Sequence, residues 1–185
     1  MDKRNETRNT GQATRQPGKA AGGRKAALPS GVNPGELLLL DNQLCFALYS
    51  ASLTMTKVYK PLLADLGVTY PQYLVMLVLW ERDELTVSEV GERLFLDSGT
   101  LTPLLKRLEA LELIVRRRSA QDERQVIVSL TPEGRKLRQR ALAVPAELLC
   151  AAQCTVEEIS GLTRRVQKLR GALAESVEAA ALAES

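Results

Sequence analysis

Leu96-Asp97-Ser98-Gly99-Thr100-Leu101-Thr102-Pro103-Leu104-Leu105-Lys106-Arg107-Leu108-Glu109 is the stretch that decides how this chain folds. Leucines at 101, 104, 105, 108 and 111 fall on one side of a helix from about Ser98 to Glu112, and Lys106 and Arg107 fall on the other. Pro103 lies in the opening turn or just past it, which predicts a late start near Thr100 or a bend. Upstream, Thr86-Val87-Ser88-Glu89 has capping-box spacing and opens a short helix that turns Val87, Val90 and Leu94 inward. Phe95, Leu96 and Asp97 make the turn between them. Two short helices joined by a tight turn are a helix-turn-helix signature.

Working downstream, the pattern changes to period two, with strands over Ile114 to Arg118 and Gln125 to Leu130 flanking Ser119 to Arg124. That is a β-hairpin. Thr131-Pro132-Glu133-Gly134 then launches a helix towards Gln153, which Pro145 should kink. Thr155-Val156-Glu157-Glu158 caps a last helix that runs to about Glu175. Upstream, Thr69 with Gln72 caps a helix from Tyr70 to near Arg82. Before it comes a long first helix that starts between Asn33 and Asp41 and ends near Asp65, ahead of Gly67. Its stripe of Leu40, Leu44, Leu48, Ala51, Met55, Val58 and Leu62 demands a partner helix.

Composition narrows the function. With 45% apolar residues in 185, the chain has material for a real core, and only 4% aromatics favours helix over a β-rich fold. No apolar run is long enough for a membrane span, and residues 1 to 35 lack a secretory h-region, so a cytoplasmic, non-membrane protein is expected. Those residues hold seven Lys or Arg against two acids, and read as a disordered basic tail. The absence of histidine removes Ser-His-Asp and Cys-His catalysis and histidine zinc sites, so neither an enzyme nor a cofactor or metal is expected. Cysteines at 45, 150 and 154 fit no disulfide framework and no C-x-x-C ribbon.

Positive charge is local: residues 98 to 140 carry ten basic and five acidic side chains. Ser98, Thr100 and Thr102 offer hydroxyls at a helix N-terminus for phosphates or base edges. Lys106, Arg107, Arg116, Arg117 and Arg118 suit phosphates; Arg124 at the hairpin tip suits a narrow minor groove, with Asp122 holding its guanidinium. The order of elements, the segment Leu96 to Glu109 and the hairpin Arg116 to Arg118 with Asp122-Glu123-Arg124 resemble the MarR family over residues 37 to about 176. The resemblance implies a mainly α winged helix-turn-helix dimer, in which the recognition helix enters the major groove of pseudo-palindromic double-stranded operator DNA and the wing probes the minor groove. The regions follow: winged helix over 67–130, a helical dimerisation region over 36–66 and 131–176, and a flexible C-terminus over 177–185.

Asp41-Asn42-Gln43-Leu44-Cys45-Phe46-Ala47-Leu48-Tyr49, Tyr59, and Thr69-Tyr70-Pro71-Gln72-Tyr73 resemble the organic-hydroperoxide sensors called OhrR, within that family. The resemblance makes Cys45 the reactive thiol, Tyr59 and Tyr70 its hydrogen-bonding phenols, and a terminal cysteine the resolving thiol of a two-cysteine subclass. Cys150 is preferred for that role, with Cys154 as the alternative. Fourteen residues of helix put Cys45 about 21 Å from Tyr59, so an antiparallel partner helix has to bring them together across a dimer. A helix start at Asp41, preferred over Asn33-Pro34, puts Cys45 in the first turn, where the macrodipole favours a thiolate. The expected protein is a repressor released by organic hydroperoxide through a Cys45–Cys150 intersubunit disulfide. Three other readings are a repressor released by a small aromatic ligand, a soft-metal sensor, and a thiol peroxidase.

Overall fold

The computed structural model describes residues 33–184, divided at Gln43 and Leu44 into two compact units. The basic tail expected over residues 1–35 lies outside the described residues up to residue 32. In the first unit the described residues make two 3-10 turns, Glu36–Leu38 and Leu40–Asn42, and the Asn42 amide donates to the Glu36 carbonyl at 2.8 Å.

The second unit runs α1 (Leu44–Leu62), α2 (Tyr70–Glu81), β1 (Leu85–Thr86), α3 (Val87–Leu94), α4 (Ser98–Ala110), β2 (Ile114–Arg118), β3 (Val126–Leu130), α5 (Pro132–Ala141), α6 (Val144–Ala152) and α7 (Val156–Glu184). It is a mainly α winged helix-turn-helix. The strands pair antiparallel in the order β1-β3-β2; the two-residue β1, which no sequence pattern announces, sits Leu85 opposite Val128. Arg116 and Val128 are partners across the hairpin.

Local capping decides most boundaries. The Gln72 side chain accepts from the Thr69 N–H at 2.7 Å, and Glu89 accepts from the Thr86 N–H at 2.8 Å, so α2 and α3 start where the spacing predicts. The recognition helix α4 starts at Ser98, not late near Thr100, because Asp97 caps it through the Thr100 N–H at 2.9 Å and offsets the tolerance lost at Pro103. The predicted helix from Pro132 to Gln153 is two helices, broken at Leu142 and Ala143 ahead of Pro145. Pro145 has no N–H for the Ala141 carbonyl four residues back and its ring crowds that carbonyl, so α5 stops at Ala141. The last helix passes Glu175 and reaches Glu184, so residues 177–184 of the expected flexible C-terminus are helical; its Ala-rich end has high intrinsic propensity.

The core lies under the helix-turn-helix. Leu101, Leu105 and Leu108 of α4 are buried against Val75, Met76 and Leu79 of α2, Val90 of α3, and Ile114 and Val128 of the sheet. Each such leucine contributes about 1.5–3 kcal/mol of burial. Leu111, expected on the same face, is exposed at the C-cap. Two polar contacts tie the core to α5: Trp80 Nε1 donates to the Gly134 carbonyl at 2.9 Å, and Asp83 accepts from the Leu130 N–H at 2.8 Å and from Arg135 at 2.6 Å.

The two longest helices stand apart from this core. No residue of α1 is buried, and among the described residues none of α7 is. Leu44 is 58% exposed, Leu162 59% and Leu173 56%. No described helix is long and apolar enough to cross a membrane.

Two glycines test the packing. A Cβ on Gly134 would lie 2.1 Å from the Leu113 carbonyl oxygen, whereas one on Gly161 in α7 meets nothing within 4 Å. Gly134→Ala should lower unfolding free energy by about 2 kcal/mol or more, and Gly161→Ala should raise it by about 0.5–1 kcal/mol. Urea denaturation of the two variants checks both signs.

Candidate nucleic-acid interface and thiol site

The start of α4 is built around Asp97. Its carboxylate accepts from the Thr100 backbone N–H and, at 2.9 Å, from the Thr100 hydroxyl. The backbone hydrogen bond and then the hydroxyl hold the Asp97 carboxyl below its usual range. Thr102 likewise donates its hydroxyl to the Ser98 carbonyl at 2.6 Å. Both threonine protons are therefore used inside the helix, which leaves oxygen lone pairs and methyl groups facing outward. Such groups match base-edge donors and the thymine methyl better than phosphate oxygens. Ser98, Lys106 and Arg107 are exposed, the last two opposite the buried leucines.

The wing departs from its expected role. Arg116 is half-buried and bound to Glu109, its Nε donating to Oε2 at 3.0 Å and its backbone N–H to Oε1 at 3.2 Å. The Arg116 guanidinium in turn holds the Glu109 carboxyl down. Arg117 pairs with Glu84 at 2.7 Å. Two of the three arginines expected on phosphates thus fasten the hairpin to α4 and to the β1 turn, while Arg118 is exposed and makes no ion pair among the described residues. Asp122 does not hold the Arg124 guanidinium. It accepts from the Arg124 backbone N–H at 3.0 Å and the Gln125 amide at 3.2 Å, closing the hairpin tip as an Asx turn. Arg124 is exposed and lines, with Thr102, Ser88 and Arg116, a cleft of about 370 Å³ between α3, α4 and the wing.

Glu109, Glu84 and Asp83 are functional supports that sequence reasoning missed. Their partners lie 7, 33 and 52 residues away, and no periodicity signals such pairs.

At the other end of the molecule, Tyr59 on α1 and Tyr70 at the start of α2 stack with centroids 4.5 Å apart. Tyr73, read from sequence as plain lining, is a third ring at 6.0 Å from Tyr59, and Trp80 stands edge-on to it at 6.1 Å. Burial, then the neighbouring phenols of Tyr70 and Tyr73, push Tyr59 up to about 12. Burial raises Tyr70 and Tyr73 as well. All three phenols therefore stay protonated, and able to donate, throughout the neutral range.

Cys45 is the second residue of α1, so it lies in the first turn and is exposed. Tyr59 is fourteen residues along that helix, about 21 Å away, so the tyrosine pair and the thiol of one chain do not meet. Cys150 is exposed near the end of α6; Cys154 is half-buried after it, its thiol donating to the Ala152 carbonyl at 3.2 Å. No disulfide joins the three. Leu44, Leu48 and Met55 of α1 face Leu162, Val166 and Leu169 of α7 across an apolar cavity of about 570 Å³, with Tyr70 in its wall.

Residues 57–141 match the family model described as transcriptional regulator SarA/Rot. Over 130 residues, 70% of this chain and 88% of the relative, the sequence is 51% identical to the organic hydroperoxide resistance transcriptional regulator of Bacillus subtilis. The chain belongs to the MarR family of winged-helix regulators, in its organic hydroperoxide branch. Among solved structures, this regulator is similar to reduced AbfR bound to DNA, at 35% identity and a TM-score of 0.64, covering 77% of this chain and 97% of that one. It is also similar to disulfide-formed AbfR, at 37% identity and a TM-score of 0.53, covering 73% and 95%. AbfR is a protein of Staphylococcus epidermidis.

The tyrosine cluster makes a pH prediction. Tyr59 titrates at about 12 in the fold and near 10 unfolded, so the stability it supports is complete below pH 10 and is lost as pH rises through about 12. Tyr59→Phe should flatten the stability profile between pH 10 and 12 and remove the highest phase of an ultraviolet phenolate titration.

Proposed function

We propose that this transcriptional regulator is a cytoplasmic repressor, a homodimer on pseudo-palindromic operator DNA, that lets go when an organic hydroperoxide oxidises Cys45. One observation carries the reading: Cys45 is exposed in the first turn of α1, while a protonated Tyr59–Tyr70 pair waits at that helix's far end. Two copies with their α1 helices antiparallel satisfy both ends at once. The apolar residues that α1 and α7 expose supply the driving force for that association. Dimerisation thus falls to 36–66 and to the region after residue 131, including the rest of α7, and DNA binding to 67–130.

In the proposed cycle the Cys45 thiolate, held by two phenol O–H donors, attacks the outer peroxide oxygen. The O–O bond breaks, an alcohol leaves after taking a proton, and Cys45 carries a sulfenic acid. A Cys150 thiol of the other protomer then attacks that sulfur, forming the disulfide and releasing water; Cys154 is the alternative. Drawing the helices together displaces the two recognition helices from adjacent major grooves. That AbfR is known both reduced on DNA and in a disulfide form supports this order of events.

On DNA, Ser98, Thr100 and Thr102 read base edges, Lys106, Arg107 and Arg118 meet phosphates, and Arg124 enters the minor groove. Arg116 and Arg117 position the wing through Glu109 and Glu84. Lys106→Ala should weaken binding to all duplexes alike and reduce the log affinity against log salt slope by about 0.9. Arg116→Ala should instead lower stability as well as affinity, which thermal melts beside salt titrations separate.

The redox half is tested by operator binding before and after cumene hydroperoxide. Wild type should release the duplex and Cys45→Ser should stay bound. Cys150→Ser should be oxidised at Cys45 yet give no covalent dimer on a non-reducing gel. Loss of that dimer in Cys154→Ser alone transfers the resolving role to Cys154, and release by Cys45→Ser overturns the switch.

A further inference from the structure

Phe95 ends α3 in the left-handed region, at φ 56 and ψ 39, and leaves its ring 68% exposed. Glycine or asparagine is the usual residue for such a helix end, so a large exposed aromatic there calls for a contact. The contact is Arg170 of α7, whose guanidinium carbon stands 4.2 Å above the ring centroid. Arg170 makes no ion pair among the described residues, although Glu92 and Glu89 border the same cavity of about 740 Å³ between α2, α3 and α7.

The ring is held by a stiff turn. The Leu96 N–H donates to the Gly91 carbonyl at 2.9 Å, and a Cβ on Gly91 would meet the Leu96 carbonyl at 2.8 Å, so α3 and the turn are in backbone contact. Two residues after Phe95 comes Asp97, the cap of α4. A displacement of the Phe95 ring therefore reaches the start of the recognition helix through two fixed residues.

We propose that Arg170 and Phe95 are positioning residues for DNA binding, a cation–π latch by which α7 sets the orientation of α4. The proposal rests on α4 being the DNA-reading helix, and adds to it a second anchor outside the winged helix. It gives α7 a direct grip on the reading head, so that moving α7 moves α4.

The test uses the full-length protein and a duplex selected by the wild type from a random library. Arg170→Gln and Phe95→Ala should each weaken binding about two- to five-fold, the span of an exposed cation–π contact. The double variant should bind no more weakly than the weaker single one, and Phe95→Tyr should bind as wild type. Melting temperature of Arg170→Gln should be unchanged, while amide exchange over residues 96–102 becomes faster. Unchanged affinity of Arg170→Gln, additive losses in the double variant, or loss in Phe95→Tyr overturns the latch alone. Failure of the wild type to select any duplex, together with no effect of Lys106→Ala, overturns the DNA reading and the latch with it.

Discussion

An α-helix is a rigid spacer, and the one from Leu44 to Leu62 holds Cys45 and Tyr59 about 21 Å apart. Neither end is of use to the other within one chain. The same helix buries none of its residues in the protomer and shows a run of leucines and a methionine to the outside. A structure that keeps its thiol and its phenols at opposite ends of an unpartnered apolar helix is incomplete as a single copy. The proposed sensor follows from that incompleteness: two-fold symmetry turns one long separation into two short ones.

The DNA-facing region shows how a basic surface is divided between structure and ligand. Arg116 and Arg117 belong to acids, and Asp122 belongs to the backbone of its own turn. These bonds cost nothing to the interface; they fix the height and angle of the hairpin, so that Arg124 and Arg118 are offered from a stiff support. Preorganised cations lose less conformational freedom on binding than cations on a loose loop. The threonines obey the same logic, donating inward and presenting acceptors outward.

Between the two sites lie helices that belong fully to neither. Asp83 joins the α2 end to β3 and α5, Trp80 joins α2 to the α5 start, and Arg170 reaches from α7 to the helix-turn-helix turn. Each is a single directional contact rather than a packed seam. Contacts of that kind transmit a change in helix position while asking little free energy to rearrange, which suits a protein whose function is to exist in two arrangements.

The amino-acid sequence by itself determined the succession of elements, the three caps at Thr69, Thr86 and Thr155, the leucine face of α4 and the placing of Cys45 near a helix start. These depend on neighbours three or four residues apart, and spacing records them. The break before Pro145 was also local, written in the carbonyl of Ala141, although a kink is the weaker reading of the same proline. Only the tertiary structure decided which arginines are free for DNA, that Tyr73 joins Tyr59 and Tyr70, that a short strand at Leu85 completes the sheet, and that Phe95 meets Arg170. Those outcomes join residues that are remote along the chain or set a side chain's use by which partner lies within reach. No periodic pattern carries that information, because it does not exist until the chain has folded.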